Sequence, residues 1–423
     1  MEITLSGYYT LIIAAVIMLI GHWLVFKVRF LSDFNIPEPV VGGLLAAIVV
    51  YLLNLTTGVV FTFSADLQTT FMLMFFASIG LSADFERLKA GGKPLIIFIG
   101  VVGAFIVLQN IVGVSLAALM GLKPLIGLVA GSISLTGGHG TAAAWGSVLE
   151  QQYGITGAMT LGIAMATFGL VIGGIIGGPV ARHLLHRLKK QPQERDPART
   201  TQQAVSGMPR QARQRDPHDD HGNLTFDLFD QPRLINAYAS IQTLAMFAGC
   251  LAASDLLAIW TKSSWIELPQ FIWALASGVV IRNVLTHVFN FTMFDRAIDV
   301  FGSASLSLFL VIALLSLKLW ELADLAGPVL IILAVQTAVM MAYAVFVTFR
   351  IMGADYDASV LSAGHCGFGM GATPTAIANM QAITDRYGES YKAYLIVPLV
   401  GAFFVDLINA FILQVFTQIP FLQ

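Results

Sequence analysis

The chain has 423 residues, of which 57% are hydrophobic and 11% charged, with a net charge of −2 and a mean hydropathy of +0.78. A soluble domain needs roughly a quarter of its residues charged to cover its surface, so this composition excludes an aqueous globule. The net charge says little about partners, no nucleic acid is expected, and the positions of the charges carry the information.

The N-terminus has no basic n-region and no small-residue cleavage site, so residues 8–26 are expected to be a first span and not a signal peptide. Stretches free of Asp, Glu, Lys and Arg follow at 39–65, 94–122, 124–149, 151–181 and 325–349. A spanning helix needs about 20 apolar residues, so several crossings are required. Spans are expected at 8–28, 37–53, 66–83, 94–120 and 155–183, then at 235–260, 268–285, 298–318, 328–349 and 391–416. Two odd segments, 124–150 and 355–385, are interrupted by glycines near their middles. The two cysteines, Cys250 and Cys366, lie far apart in apolar surroundings and make no disulfide framework.

Between the halves, composition changes to Arg, Gln, Asp and Pro without apolar period. Residues 189–232 are therefore expected to be a hydrophilic cytoplasmic linker between membrane repeats at 1–188 and 233–423. The repeats resemble each other. A shift of 234 positions without a gap places Pro94 on Pro328, Gly137 on Gly371, Thr141 on Thr375, Tyr153 on Tyr387 and Gly154 on Gly388. It also places Leu81 on Leu315, Ser82 on Ser316 and Leu88 on Leu322, matches that a Leu-rich composition makes cheap.

Lys and Arg accumulate on the cytoplasmic side of short loops, which tests the path of the odd segments. Outside the ten Lys and Arg residues from Arg182 to Arg233, thirteen remain. With both odd segments re-entrant and the linker inside, only Lys123, Lys262 and Lys318 lie outside. With both crossing fully, only Lys123, Arg282, Arg296 and Arg350 lie inside. The re-entrant arrangement fits better. Five crossings per half is odd, so the fold expected is an all-α polytopic membrane protein of two inverted-topology repeats, both termini outside. Each arm of about a dozen residues reaches about 18 Å as a helix, which brings a glycine tip near the bilayer midplane.

The first tip reads Ser132-Ile-Ser134-Leu-Thr136-Gly137-Gly138-His139-Gly140-Thr141. The second runs from Gly364-His365-Cys366-Gly367-Phe368-Gly369 to Met370-Gly371-Ala372-Thr373-Pro374-Thr375, followed by Ala376-Ile-Ala378-Asn379. Broken backbone at membrane depth is tolerated only where protein or a wet cavity satisfies it. There, N–H groups at a half-helix start hold a carboxylate and carbonyls hold a cation. Substrate contacts are therefore expected at Ser134, Gly137, Gly138, His139, Gly140, Thr141, Gly371, Ala372, Thr373, Thr375 and Asn379, with Thr373 capping a helix that Pro374 opens. Close helix packing is the competing reason for such glycines. Asp406 is the only charge between Ala393 and the C-terminus, and a carboxylate at that depth is costly unless used. With Asn409 on the same helix face and the carbonyls of Gly367 and Gly369, it is expected to hold sodium. An anchoring role for Asp406 is the alternative.

Other polar residues read as structural. His365 is expected to be a hydrogen-bonded structural histidine, and the same reading competes with a site role for His139. Cys366 has no base at a telling spacing and is expected to be inert. Gln109, Asn110 and Gln336 are expected to bond between helices. Asp84, Glu86 and Arg87 are expected in water at a helix end, and the aromatic stretch 71–76 is expected to face lipid.

The sequences Ser134-Leu-Thr-Gly-Gly-His-Gly-Thr-Ala-Ala-Ala-Trp145 and Gly364-His-Cys-Gly-Phe-Gly-Met-Gly-Ala-Thr-Pro-Thr-Ala-Ile-Ala-Asn-Met380 resemble the signatures of the bacterial glutamate:sodium symporter family. So do Phe168-Gly-Leu-Val-Ile-Gly-Gly-Ile-Ile-Gly-Gly-Pro-Val-Ala-Arg182, Leu308-Phe-Leu310 and Leu317-Lys-Leu-Trp-Glu-Leu322. The resemblance covers nearly the whole chain outside the linker, which is longer and richer in Arg and Gln than the family suggests. It implies sodium-coupled L-glutamate uptake across the bacterial inner membrane, inverted halves with re-entrant loops, no organic cofactor, and a homodimer. A carrier for another small carboxylate would use the same architecture. An intramembrane enzyme built on His365 or Cys366 would need a nucleophile and base in one half only, which duplicated tips argue against. A passive channel would need a charged pore ring that the sequence lacks.

Overall fold

The computed structural model describes residues 2–33, 36–188, 235–262, 268–316 and 326–422. The linker 189–232 and the stretch 317–325, with Lys318 and Leu322, lie outside the described residues. Apolar runs fold as helices here because a helix satisfies its own backbone where water is absent. In the first half these are α1 (Gly7–Lys27), α2 (Glu38–Thr57), α3 (Ala65–Leu81), α4 (Phe85–Leu119), α5 (Pro124–Leu128), α6 (Gly138–Tyr153) and α7 (Ala158–His186). The second half holds α8 (Ala237–Thr261), α9 (Gln270–His287), α10 (Asp295–Leu315), α11 (Ala326–Tyr343), α12 (Tyr356–Met370), α13 (Thr373–Tyr387), α14 (Tyr391–Leu399) and α15 (Val405–Thr417). Two short strands, Glu2–Thr4 and Val60–Thr62, pair in parallel at one end.

The helix order of the first half recurs in the second at the offset that aligns the sequences. Contacts recur too. α1 packs on α2 as α8 packs on α9, and α2 meets α10 as α9 meets α3, while the equivalent helices α3 and α10 pack on each other. These six helices form one group. The other group is α4 to α7 with α11 to α15, whose densest packing joins α7 to α12 and to α6.

Among the described residues, seven helices are long and apolar enough to cross a bilayer. The pair Tyr391–Ala402 and Val405–Thr417, bent by 45°, makes an eighth if it is counted as one broken span. The spans expected at 66–83 and 268–285 are present as α3 and α9 but fall outside that set. α3 has 17 residues, and α9 carries Arg282 and Asn283 in its last turns. Both are largely surrounded by protein, so they need not match lipid on every face. Glycines allow the approach: a Cβ on Gly80 would lie 2.1 Å from the Leu275 carbonyl oxygen.

Two expectations are corrected. Asp84 is not simply solvated at the end of α3; it pairs with Arg282 at 3.0 Å, and Arg282, 5% exposed, also pairs with Asp295. α9 carries this guanidinium beneath the α3–α4 turn, where a buried cation needs counter-charge. Asn283 beside it accepts from the Phe85 N–H at 3.1 Å and donates to the Ala83 carbonyl at 2.8 Å. The aromatic stretch 71–76 is not a lipid-facing stripe. Phe76 is 2% exposed and its ring lies 4.6 Å from that of Phe271, while Phe71 packs with Ala143, Met159 and Ile163 between the two groups.

Candidate substrate and ion site

The first tip begins where α5 passes into a π-helical turn, Val129–Ile133, with Gly131 at φ −107° and ψ −130°. The chain turns through 134–137 and becomes helical again at Gly138, whose φ of +67° favours glycine. The Gly137 and Gly138 N–H groups are used by the carbonyls of Ser132 and Ser134 at 2.9 and 3.0 Å. The next three, on His139, Gly140 and Thr141, open α6 without preceding helical carbonyls. The break thus lies just before the Gly137–Gly140 stretch, and His139, Gly140 and Thr141 form a helix start.

The second tip is sharper than its glycine content suggests. α12 stays helical through Gly364, Gly367 and Gly369, and only Gly371 and Ala372 leave the helix. The earlier glycines serve packing: a Cβ on Gly367 would lie 2.4 Å from the Ala376 Cα. α13 starts at Thr373, so Ala372 and not Thr373 holds the cap position, with Pro374 in the first turn where its fixed φ suits. Thr373 lies instead against Gly401, where an added Cβ would be 3.0 Å from its Oγ1.

The two tips meet. A Cβ on Gly138 would lie 3.5 Å from the Gly371 carbonyl oxygen. Two helix starts, α6 from one half and α13 from the other, therefore converge, each with the partial positive charge of unpaired N–H groups. The last carbonyls of α12, from Gly367 to Met370, lie beside them and carry the opposite partial charge.

Around this junction the side chains take distinct roles. Thr375 is 2% exposed and its hydroxyl has no hydrogen-bond partner among the described residues. Asn379 donates to the Gly173 carbonyl on α7 at 2.8 Å. His139 Nε2 lies 3.0 Å from the Thr167 hydroxyl, a partner the sequence did not single out. Ser134 donates to the Val129 carbonyl at 2.6 Å and so holds the turn of its own tip. Thr141 stacks on Gly137, while Gly140 faces away from the second tip, toward Phe75 of α3 and Leu306 of α10. His365 bonds Thr348 at 2.9 Å within a ring of Phe98, Phe105, Tyr343 and Phe368, and Cys366 is buried.

The residues expected to hold an ion divide. The Gly369 carbonyl accepts from Gln109 Nε2 at 3.1 Å and lies 3.1 Å from Thr136 Oγ1. The Gly367 carbonyl faces Gly173 and Gly371. Asn409 is bonded to Ser132 of the first tip. Asp406, half-buried one turn earlier, forms no ion pair or hydrogen bond among the described residues. No group of three or more His, Cys, Asp or Glu gathers among the described residues.

The sodium/glutamate symporter family matches residues 3–389. The chain belongs to that family. It is 50% identical over 418 residues to a protein of Haemophilus influenzae named sodium/glutamate symporter, covering 98% of each. It is 46% identical over 411 residues to proteins of the same name from Escherichia coli K12 and Shigella flexneri, covering 97% of each. The family comprises transporters and not enzymes, and the symporter's apolar helices make it a multi-pass membrane protein. Both tips fall inside the matched region, whereas Asp406 and Asn409 follow it.

Proposed function

We propose that this chain carries L-glutamate with sodium across a bacterial inner membrane, by alternating access at two glycine tips of inverted, re-entrant repeats. The observation that carries the site is the approach of Gly138 to the Gly371 carbonyl, which sets two helix N-termini side by side. Glutamate has two carboxylates, and each start offers unpaired N–H groups for one. To this one site the first tip contributes Ser134, Gly137, Gly138, His139, Gly140 and Thr141, and the second Gly371, Ala372, Thr373, Thr375 and Asn379. Thr375 adds a buried hydroxyl that lacks a partner among the described residues. Sodium is held by Asp406, Asn409 and the carbonyls of Gly367 and Gly369; the Gly369 oxygen keeps Gln109 on one lone pair and offers the other, and Asn409 Oδ1 does the same beside the Ser132 hydroxyl. An anion entering a negative cell climbs about 2.3 kcal/mol per charge per 100 mV, which more than one sodium per glutamate offsets. The working unit is a homodimer, with 189–232 in the cytoplasm.

The test is uptake of labelled L-glutamate into proteoliposomes. An inward sodium gradient should drive accumulation, and a potassium or proton gradient alone should not. Unlabelled glutamate should compete better than a hydroxycarboxylate or another dicarboxylate. In an Ala372→Cys variant, glutamate should slow alkylation by an impermeant thiol reagent. Sodium-independent uptake would overturn the coupling, and unprotected alkylation in a transporting variant would overturn the shared site.

A further inference from the structure

Gln109 lies mid-way along α4, fully buried, and the transport reading gives it no task. Its carboxamide joins the two broken segments. The Thr136 hydroxyl, in the turn of the first tip, donates to Gln109 Oε1 at 2.6 Å. Gln109 Nε2 donates to the Gly369 carbonyl, in the last turn of α12, at 3.1 Å. Thr136 Oγ1 also stands 3.1 Å from that same carbonyl, which closes a ring of three residues from three elements. The hydroxyl has one proton, so it serves one acceptor at a time; while it donates to Gln109 Oε1, the donor to Gly369 is the Gln109 amide.

The position of this ring is what matters. Thr136 precedes Gly138 by two residues, and Gly369 precedes Gly371 by two residues. The ring therefore sits behind the point where the tips meet and fixes their spacing. Two further bonds fix Gln109 and its neighbour. Gln336 Nε2 donates to the Gln109 carbonyl at 2.7 Å, and Asn110 Oδ1 accepts from the Ser132 N–H at 3.1 Å. α4 thus presents consecutive amides to both sides of the junction.

We propose that Gln109, with Thr136, is a positioning residue that clasps the two tips into one substrate site, an inference that rests on the shared site proposed above. Gln109 is buried away from any ligand surface and acts through the tips. Losing the clasp frees each tip to relax separately, so substrate binding suffers more than turnover.

The experiment is sodium-driven glutamate uptake at saturating sodium, in Gln109→Ala, Thr136→Val, the double variant and Thr136→Ser. Gln109→Ala and Thr136→Val should each raise the half-saturating glutamate concentration about tenfold, the effect of one buried hydrogen bond, with a smaller fall in maximal rate. The double variant should be no worse than the worse single one, because both break the same ring. Thr136→Ser keeps the hydroxyl and should stay within about twofold of the parent. An unchanged half-saturation in Thr136→Val, additive effects, or a Thr136→Ser variant as poor as Thr136→Val would each overturn the clasp. Should Gln109→Ala fail to fold, the near-isosteric Thr136→Val against Thr136→Ser decides. Absent protection at Ala372→Cys in an otherwise parent chain would remove the shared site, while the Thr136 comparison still judges the clasp.

Discussion

Asn409 and Ser132 exchange two hydrogen bonds across 277 residues of chain: the Ser132 hydroxyl donates to Asn409 Oδ1 at 2.7 Å, and Asn409 Nδ2 donates to the Ser132 carbonyl at 3.0 Å. Both residues are fully buried. The pair fastens α15 to the π turn of the first tip, one helical turn beyond the unpaired Asp406. Because Asn409 is engaged and Asp406 is not, they should respond differently. Asp406→Asn keeps shape and removes the charge that balances sodium, so the half-saturating sodium concentration should rise about tenfold, equal to about 1.4 kcal/mol. Asn409→Ala leaves Ser132 unpaired and should lower the stability of the purified protein by about 1–3 kcal/mol. Uptake against sodium concentration and thermal unfolding in detergent measure the two. An unchanged sodium curve in active Asp406→Asn would make Asp406 an anchor.

Gly140 forms part of the surface between the two helix groups. A Cβ there would lie 2.5 Å from Phe75 Cε1 and 3.2 Å from Leu306 Cδ1. Gly140→Ala should overpack this boundary by about 1–3 kcal/mol and slow uptake accordingly. Phe75→Leu in the same chain makes room and should recover most of the rate. Uptake measured in the single and double variants checks this, and no recovery would place the defect at the tip instead.

The Arg282 cluster should be structural. Arg282→Met removes the guanidinium that Asp84 and Asp295 share, and breaking a buried pair costs about 3–5 kcal/mol. Asp295 keeps 39% of its side chain exposed, which places the expected loss at the lower end. Thermal unfolding should start several degrees earlier in Arg282→Met, with the sodium and glutamate half-saturations of the surviving protein unchanged.

The inverted arrangement is checked by labelling. In right-side-out cells, a single cysteine replacing Gln423 should react with an impermeant reagent, and one replacing Gln203 should react only after permeabilisation. Reaction at Gln203 in intact cells would remove the inverted topology.

Much of this fold was legible from charge-free runs, since every expected span falls, in its described residues, on a helix or, for 391–416, on a bent helix pair. The breaks were located only approximately, because glycine has two uses that composition does not separate. Gly371 leaves the helix, whereas Gly364, Gly367 and Gly369 remain helical and let α12 touch its neighbours. Side-chain direction was also hidden. Gly140 reads as a tip residue by position yet faces Phe75, and Asp84 reads as a solvated helix end until α9 is placed beneath it. The amides at 109 and 110 stood out as polar residues in an apolar span, but only the folded chain shows what they join.

The π-helical turn at Val400–Phe404 has a consequence for chain length. Such a turn holds one residue more than an α-helical turn in the same rise. Deleting a single residue there would restore regular winding and leave the residues beyond it facing as before, because the π turn makes the same rotation and rise with one residue more. Asn409 would stay on Ser132, and Asp406 would keep its place. Residues 400–404 therefore act as a slack link that gives up one residue without turning the last helix. A single-residue deletion in this stretch should be tolerated, whereas one between Val405 and Ile408 would rotate Asn409 by about 100° off Ser132.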